Sequence, residues 1–221
     1  MLLSFENVFF SYPNSEEVLR NISFSINSGE KVALLGLNGA GKSTLMLHTN
    51  GLLIPSKGNV CVKGMNTKSK SINEIRKTVG IVFQDANDQL FMPTVYDDVA
   101  FGPRNMKLSQ EEVERRVRRA LELTNTEELA MRSPYELSGG QKKSVSIATV
   151  LSMNPELIVF DEPTSGLDYK ASENFIEIVK SLPQAILLST HDLELAKNLC
   201  ERAIVLKNGK IIRDSKEIEL V

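Results

Sequence analysis

Apolar residues along this chain fall into short runs separated by glycine, proline, asparagine and serine. Runs that are bounded by turn residues and are too short for helices predict buried strands. These predicted strands cover residues 2–10, 19–26, 31–35, 58–62, 79–83, 157–161, 185–189 and 203–206. The last run leads into Asn208-Gly209, which predicts a hairpin turn. The early strands predict a small antiparallel layer near the N-terminus.

Three other stretches carry apolar residues at helical spacing. Ser109 and Glu112 form a capping-box pattern at the start of the first one. Its buried stripe is predicted to consist of Val113, Val117, Ala120 and Leu121. The second helix is predicted over residues 140–151, and the third has a stripe of Phe175, Ile178, Val179 and Leu182. Since strands and helices alternate, we expect an α/β fold with a mostly parallel sheet.

Composition limits the possible classes of protein. The length of 221 residues suits one large domain or one domain with subdomains. A net charge of −2 gives no electrostatic basis for nucleic acid as the main partner. Cys61 and Cys200 lack metal-ligand spacing, so we expect a reducing compartment and no disulfide framework. No apolar run approaches the roughly 20 residues that span a bilayer, and no export signal is evident. We therefore expect a cytoplasmic protein.

The stretch around which the chain is organised is Gly36-Leu-Asn-Gly-Ala-Gly-Lys-Ser-Thr44. It follows the predicted strand 31–35 and leads into a predicted helix over residues 44–50, which Gly51 ends. Glycines let the backbone surround a phosphate chain with N–H groups, and the helix N-terminus adds a partial positive charge. This context predicts a phosphate-binding loop rather than an ordinary glycine-rich turn.

The same stretch fits the pattern G-x-x-x-x-G-K-[S/T] at Gly36, Gly41, Lys42 and Ser43. We expect Lys42 to reach the β- and γ-phosphates of a nucleoside triphosphate, and the Ser43 hydroxyl to hold Mg²⁺.

Two carboxylates end the apolar strand predicted at residues 157–161. Asp161 could hold Mg²⁺ through water opposite Ser43, and Glu162 could polarise a water towards the γ-phosphate. Simple solvation of a strand end is the alternative. A phosphate loop earlier in the same chain favours the catalytic interpretation.

Three further features allow two interpretations each. Leu137-Ser-Gly-Gly-Gln141 places a hydroxyl and two glycines at a helix N-terminus, which is either a second anion site or an ordinary cap. Gln84 follows a predicted strand and could equally be a surface residue. His191 follows the strand at residues 185–189 and could be a satisfied histidine at a strand end.

In their order along the chain, these motifs resemble the nucleotide-binding subunits of ABC transporters. The resemblance covers nearly the whole chain. The matching positions are Tyr12 for the aromatic that stacks on adenine, residues 36–44 for Walker A, Gln84 for the Q-loop, residues 137–141 for the LSGGQ signature, Asp161 and Glu162 for Walker B, residues 165–168 for the D-loop and His191 for the switch histidine.

This resemblance implies ATP and Mg²⁺ as ligands and assigns roles to individual residues. It implies catalytic roles for Glu162, His191 and Gln84, and Mg²⁺ contacts from Ser43, Gln84 and Asp161. The residues that it implies for nucleotide binding are Tyr12, Asn38, Gly39, Gly41, Lys42, Ser43, Thr44, Ser138, Gly139, Gly140 and Gln141.

The resemblance also implies an architecture and partners. It implies a single ABC ATPase domain over residues 1–221, in which a P-loop NTPase core, the antiparallel layer and a helical signature subdomain over roughly residues 86–153 are combined. ATP would be hydrolysed between two subunits packed head to tail, in a homodimer or in a heterodimer with a related ATPase. Walker A of one subunit would face the signature of the other.

A narrower resemblance, to the energy-coupling-factor importers, lies in Val82-Phe-Gln-Asp-Ala-Asn-Asp-Gln-Leu-Phe-Met-Pro-Thr-Val95 and Asp97-Asp-Val-Ala-Phe-Gly-Pro103. That group includes cobalt and nickel ATPases and ATPases that serve vitamin importers. It implies that residues 85–103 dock onto integral-membrane subunits at the cytoplasmic face of the membrane. We expect Phe91, Met92 and Pro93 to form an exposed apolar cluster there; a surface loop with packed apolar residues is the alternative.

The sequence departs from the family pattern at two positions. Ser144 stands where an arginine is usual after the signature, and Tyr169 replaces a common proline after the D-loop. Neither removes a phosphate ligand, so we expect ATPase competence. The chain also ends soon after the Asn208-Gly209 turn, whereas many members of this subgroup carry a C-terminal extension that helps to hold the dimer.

Other classes of nucleotide-binding protein fit less well. A DNA-repair ABC ATPase would carry a long coiled-coil insertion, a translation factor of this type would hold two such domains, and a GTPase would need Asn-Lys-x-Asp. A regulator without turnover would lack Glu162 or His191. The expected function is therefore the motor of an importer, with cobalt or nickel as the favoured cargo and a vitamin as the alternative.

Overall fold

The computed structural model describes residues 1–218 and divides the chain into two compact units. The first unit contains residues 1–81, 156–162 and the chain from 183 onward, and the second contains residues 82–155 and 163–182. The second unit therefore includes the predicted signature region and also a later segment that follows the two carboxylates.

The strands lie in two sheets. In chain order they are β1 (Leu3–Ser11), β2 (Glu17–Ile26), β3 (Lys31–Leu35), β4 (Lys57–Val62), β5 (Met65–Asn66), β6 (Val79–Val82), β7 (Leu157–Asp161), β8 (Ala185–Thr190), β9 (Arg202–Lys207) and β10 (Lys210–Ser215). One sheet has four strands in the order β2-β1-β4-β5, and the other has six in the order β10-β9-β3-β8-β7-β6.

The four-stranded sheet is the antiparallel layer that the sequence predicts. Strand β1 pairs antiparallel with both β2 and β4. Buried residues of β1 and β2 meet on one face, where the rings of Phe5 and Phe24 stack with centroids 4.7 Å apart. Gly58 lies in β4 at a φ of 80°, and a Cβ there would collide with the backbone of Glu6 and Asn7. Close pairing of β1 with β4 therefore requires glycine at this position.

The six-stranded sheet is mostly parallel, as predicted. Strand β3 pairs parallel with β8 and β9, and β7 pairs parallel with β8, whereas β10 joins β9 as an antiparallel hairpin. Every residue of β8 is buried, and so are the first four of β7. Continuous burial of this kind is typical of central strands in a parallel sheet covered on both faces, and it explains why these strands lack alternation.

The helices are α1 (Lys42–His48), α2 (Ile72–Thr78), α3 (Val95–Asn105), α4 (Gln110–Leu123), α5 (Gly139–Leu151), α6 (Tyr169–Ser181) and α7 (Leu193–Leu199). Helices α3 to α6 belong to the second unit. The predicted stripe of α4 is buried, which confirms that interpretation. Within residues 1–218, none of the helices has the length and apolar character needed to cross a membrane.

The predicted capping box at the start of α4 is only half formed. The Ser109 hydroxyl accepts a hydrogen bond from the Glu112 N–H at 3.3 Å. The Glu112 carboxylate, however, pairs with Arg115 and Arg116 at 2.7 Å instead of returning to the backbone of Ser109. Hydrogen bonds from these arginines, that of Arg115 first, lower the pKa of Glu112 to about 2. The basic residues one turn later outcompete the cap for the carboxylate.

Two predicted helices have different bounds in the structure, and helices α2, α3 and α7 were not predicted. Helix α1 spans residues 42–48 instead of 44–50, and the third predicted helix ends at Ser181, so Leu182 is buried just beyond it. Helices α2 and α7 are short, and α3 contains Pro103, which obscures its helical pattern. Caps from Thr94 and Asp192 stabilise the starts of α3 and α7.

Candidate nucleotide-binding site

Three neighbouring parallel strands of the first unit end at one edge of the six-stranded sheet. In the sheet order β3-β8-β7, Leu35 pairs with Thr190 and Asp161 pairs with Ser189. The phosphate loop follows β3, His191 follows β8, and Glu162 follows β7. In α/β sheets ligands bind at the carboxyl ends of the strands, where the topology leaves a crevice. The fold thus brings three of the sequence motifs to one place.

The phosphate loop depends on its glycines for two different reasons. Gly39 and Gly41 have φ values of 79° and 104°, in the region that side chains disfavour. Gly36 is needed for space, because a Cβ there would collide with the carbonyl oxygen of Leu206. A Cβ at Gly39 would meet no atom within 4 Å, so the loop surface there is open to a ligand. This is the shape expected of a phosphate cradle.

Lys42 lies at the centre of the site. Its side chain is 6 % exposed, and its Nζ donates to the carbonyl of Gly36 at 2.7 Å and to that of Leu37 at 3.4 Å. The same Nζ lies 3.1 Å from Glu162 Oε1, which is an ion pair without hydrogen-bond geometry. The predicted phosphate-binding cation and the predicted catalytic carboxylate are therefore in direct contact.

The backbone and side chain of Glu162 are held by four contacts. Its N–H donates to the Oγ and the carbonyl oxygen of Ser189, at 3.0 and 3.2 Å. Its Oε2 lies 3.0 Å from His191 Nδ1, while Oε1 pairs with Lys42. Glu162 also has a φ of 41°, a strained conformation that costs about 1–3 kcal/mol and is often found at active sites. Its neighbours fix this carboxylate in one orientation.

Asp161 is the second carboxylate at the end of β7, and its partner was not predicted. The Ser189 hydroxyl donates to Asp161 Oδ1 at 2.6 Å and accepts the N–H of Glu162. A serine directly after the apolar run of β8, two residues before His191, was the available sequence signal. The exposed hydroxyl of Ser43 and the carboxylate of Asp161 are hard oxygen donors, the type that Mg²⁺ prefers. The residues present thus fit the implied metal.

Tyr12 contacts α1 both directly and through Phe10. Its hydroxyl lies 3.2 Å from Thr44 Oγ1, and its ring packs edge-on against Phe10 with centroids 5.0 Å apart. Phe10 contacts the ring of His48 at 4.7 Å, and His48 Nδ1 donates to the Thr44 carbonyl at 2.7 Å. Burial lowers the pKa of His48, and the hydrogen bond to Thr44 opposes that effect in part. The 40 % exposed Tyr12 is therefore a fixed aromatic surface beside the phosphate loop.

The remaining predicted residues belong to the second unit. Gln84 is exposed. At the start of α5, the Ser138 hydroxyl accepts the N–H of Gln141 at 3.3 Å, and the Gln141 side chain accepts the N–H of Ser138 at 3.0 Å. This reciprocal capping box keeps Ser138 and Gly139 exposed at a defined helix N-terminus. The motif therefore caps helix α5 and leaves its first residues accessible, an arrangement that both sequence interpretations allow.

Both departures from the family pattern have local partners in the second unit. Ser144 is buried, and its hydroxyl accepts a hydrogen bond from Asn174 Nδ2 at 3.3 Å, which links α5 to α6. Tyr169 is exposed, and its hydroxyl donates to Glu173 at 2.6 Å. Asp168 caps α6 by accepting the N–H of Ala171 at 2.8 Å.

Comparison with known proteins identifies the family. The family described as ABC transporter matches residues 19–165, which is more than half of the chain. The chain belongs to the ABC transporter family. It is an ATPase of the kind that serves these transporters, and it binds nucleotide.

Relatives of this ABC ATPase agree in sequence and fold. The energy-coupling factor transporter ATP-binding protein EcfA of Methanocaldococcus jannaschii is 47 % identical over 220 residues, which cover 97 % of this chain and 79 % of the relative. The structure of cbiO1 from Clostridium perfringens, part of the ABC transporter complex cbiONQ, superposes with a TM-score of 0.87 at 38 % identity, covering 97 % of this chain and 88 % of that one.

A third relative carries nucleotide. It is a dimeric ATP-binding cassette in a post-hydrolysis state bound to ADP and Pi, with a TM-score of 0.85 and 31 % identity over 97 % of this chain and 98 % of that one. Together these similarities confirm the α/β P-loop ATPase fold predicted from the sequence.

The geometry of Glu162 leads to a first prediction. Glu162→Gln should retain ATP binding and lose turnover by on the order of 10²–10⁴-fold, because the amide keeps the shape but cannot act as a base. Titration with a fluorescent ATP analogue measures affinity, and phosphate release measures turnover. Glu156→Gln, which changes an exposed carboxylate paired with Lys63 in the same unit, is the matched control. Near-normal turnover of Glu162→Gln would exclude Glu162 as the base.

Proposed function

We propose that this chain is the ATP-hydrolysing motor subunit of an energy-coupling-factor importer that takes up cobalt or nickel ions. The observation that carries the proposal is the contact of Lys42, Glu162 and His191 at the edge of three parallel strands, beside a phosphate loop. The similarity to EcfA and cbiO1 supports the importer class.

In this proposal, different residues of the first unit bind the nucleotide and activate the attacking water. Lys42 and the loop from Asn38 to Thr44 bind the phosphates, and Tyr12 stacks on the adenine. Glu162 accepts a proton from the attacking water. Ser189 holds the backbone of Glu162, and His191 contacts its carboxylate. His191, whose side chain is 66 % exposed, can contact both Glu162 and a γ-phosphate.

Ser43 and Asp161 would hold Mg²⁺, with Gln84 as a further ligand. When bound, Mg²⁺ neutralises charge on the phosphate oxygens during transfer. The hydrogen bond from Ser189 to Asp161 leaves the second oxygen of that carboxylate for this purpose.

Dimerisation on ATP follows from the chemistry of the signature. Ser138, Gly139, Gly140 and Gln141 form the N-terminus of the 13-residue helix α5, where Ser138 and Gly139 are exposed. Such a helix end attracts anions through its N–H groups and dipole. A second copy of the ATPase would present this end to the γ-phosphate bound by Walker A of the first. ADP lacks that phosphate, so ATP and ADP differ in their affinity for the closed dimer, and this difference shifts the equilibrium.

We therefore expect Glu162→Gln to be largely monomeric alone and with ADP, and dimeric with ATP, because it holds ATP without hydrolysing it. Size-exclusion chromatography with light scattering measures this under the three conditions. Adding Gly139→Glu should abolish the ATP dimer, since a carboxylate would repel the triphosphate at a position where a Cβ meets no other atom. Equal dimer populations in all conditions would show that another interface holds the pair.

The proposed docking surface consists of Phe91, Met92, Pro93 and Phe101 in the second unit. Phe91 and Phe101 are 59 % and 40 % exposed, and their rings pack edge-on with centroids 5.1 Å apart. The buried carboxylate of Asp98 accepts the N–H groups of Phe91 and Met92, both at 3.1 Å, so the exposed turn has a fixed shape. Burial raises the pKa of Asp98, and these two hydrogen bonds oppose the rise. An ordered apolar surface of this kind suits a membrane subunit.

Phe91→Asp should prevent co-purification with the membrane complex, because a charge would have to be desolvated at the contact. Its affinity for ATP should be unchanged, which serves as the test of folding. Met131→Asp places the same charge on an 80 % exposed apolar side chain of the same unit and should still co-purify. Retention of Phe91→Asp in the complex would assign docking to another surface.

The cargo can be determined with the assembled transporter in vesicles. We expect ATP-driven uptake of radiolabelled Co²⁺ or Ni²⁺, and no uptake when Lys42→Ala removes the cation that binds the phosphates. Uptake of a vitamin such as biotin, with no transport of metal, would reject the metal cargo and support the vitamin alternative. No transport of either class would contradict the importer proposal itself.

A further inference from the structure

Lys143 makes a contact that the signature motif does not account for. It lies in α5, two residues beyond Gln141, and is only 4 % exposed. Its Nζ donates to the carbonyl oxygens of Phe83 at 2.9 Å and of Gln84 at 2.8 Å. The signature helix thus binds directly to the backbone that carries Gln84.

A second side chain connects the same two elements. Gln89 Oε1 accepts the N–H of Phe83 at 3.1 Å. Its Nε2 donates to the Ser146 carbonyl and the Thr149 hydroxyl of α5, both at 2.7 Å. Lys143, Ser146 and Thr149 follow one another at intervals of three residues on one side of the helix. The Gln84 segment, residues 83–89, is therefore attached to α5 at more than one point.

These contacts restrict the direction of the Gln84 side chain. The carbonyls of Phe83 and Gln84 belong to the two peptide planes on either side of the Gln84 Cα. Each peptide is planar, so fixing both planes fixes φ and ψ at Gln84 and with them the direction of its Cα–Cβ bond. One ammonium that holds both carbonyl oxygens acts on both dihedral angles at once.

We propose that Lys143 is a positioning residue that sets the orientation of Gln84 for ATP hydrolysis. This inference rests on the proposed function, in which Gln84 is a ligand of Mg²⁺. Ammonium hydrogen bonds to carbonyl oxygens are charge-assisted and stronger than neutral ones, which suits Lys143 to this task. Because Ser138 caps the same helix, the signature and the Gln84 backbone are held by one rigid element.

The first test compares Lys143→Met with Arg118→Met in the full chain. Arg118 is an exposed residue of α4, so its substitution is the matched control. Lys143→Met should lower kcat about tenfold, since misplacement of a ligand by a fraction of an ångström to 1 Å can cost up to about 10²-fold. Its KM for ATP should stay within about twofold, because the phosphate loop and Tyr12 lie in the other unit.

A readout that does not depend on activity is amide hydrogen exchange of the protein without nucleotide. In Lys143→Met, peptides that cover the Gln84 segment should exchange faster, while peptides that cover residues 36–48 should be unchanged. Unchanged exchange in the Gln84 segment would overturn the proposal.

The decisive test is a double-mutant cycle with Gln84→Ala. If Lys143 acts through Gln84, adding Lys143→Met to Gln84→Ala should lower kcat no further. Losses that multiply would show that Lys143 acts independently and would overturn the inference. Should Lys143→Met fail to fold, Gln89→Leu, which removes the other attachment of the segment, takes its place in the same cycle.

The cycle also separates failure of this inference from failure of the proposed function. If Gln84→Ala hydrolyses ATP at the wild-type rate, the role of Gln84 is wrong and the positioning role of Lys143 falls with it. If Gln84→Ala is slow while Lys143→Met is normal, only the inference about Lys143 is wrong.

Discussion

The register of three parallel strands is the constraint on which the site depends. Leu35 pairs with Thr190 and Asp161 pairs with Ser189, so the three strands end within one residue of each other. The residues that follow them therefore lie close together. A slip of one residue would turn each following side chain to the opposite face of the sheet. The contact between Lys42 and Glu162 would then be lost even with every motif intact in the sequence. Buried apolar side chains along β3, β7 and β8 hold this register, which links the core directly to the chemistry.

Glu162 makes the folding free energy less favourable in two ways, and its contacts offset both. A buried carboxylate in a strained backbone conformation is unfavourable on both counts. Lys42 and His191 each contact a different oxygen, and Ser189 satisfies the backbone N–H. The arrangement is stable only while all of these partners are present. A γ-phosphate that binds Lys42 would therefore change the electrostatics around Glu162 directly.

The structure brings Lys42, Glu162 and His191 from separate motifs into contact. Sequence reasoning could predict these motifs and most of the strands, because each rests on a local pattern. It could not find Ser189, whose importance arises from its position opposite Asp161 in the sheet. Likewise, Glu112 fits a capping box by spacing, but competition with Arg115 and Arg116 is decided by side-chain geometry. The contacts of Lys143 could not be predicted for the same reason, because its partners, Phe83 and Gln84, lie far away in the chain. Long-range contacts are the information that local patterns lack.

The two glycines of the signature illustrate how packing and ligand binding can be separated. A Cβ at Gly140 would lie 2.9 Å from the Cβ of Ala171, so the packing of α5 against α6 requires glycine there whatever binds. A Cβ at Gly139 would meet nothing within 4 Å, so the fold of the chain does not explain that glycine. In the proposed dimer, close approach by the triphosphate of a second subunit would explain it, because glycine exposes its backbone N–H without steric hindrance. A substitution at Gly139, rather than at Gly140, can thus test ligand binding without disturbing the packing of α5 against α6.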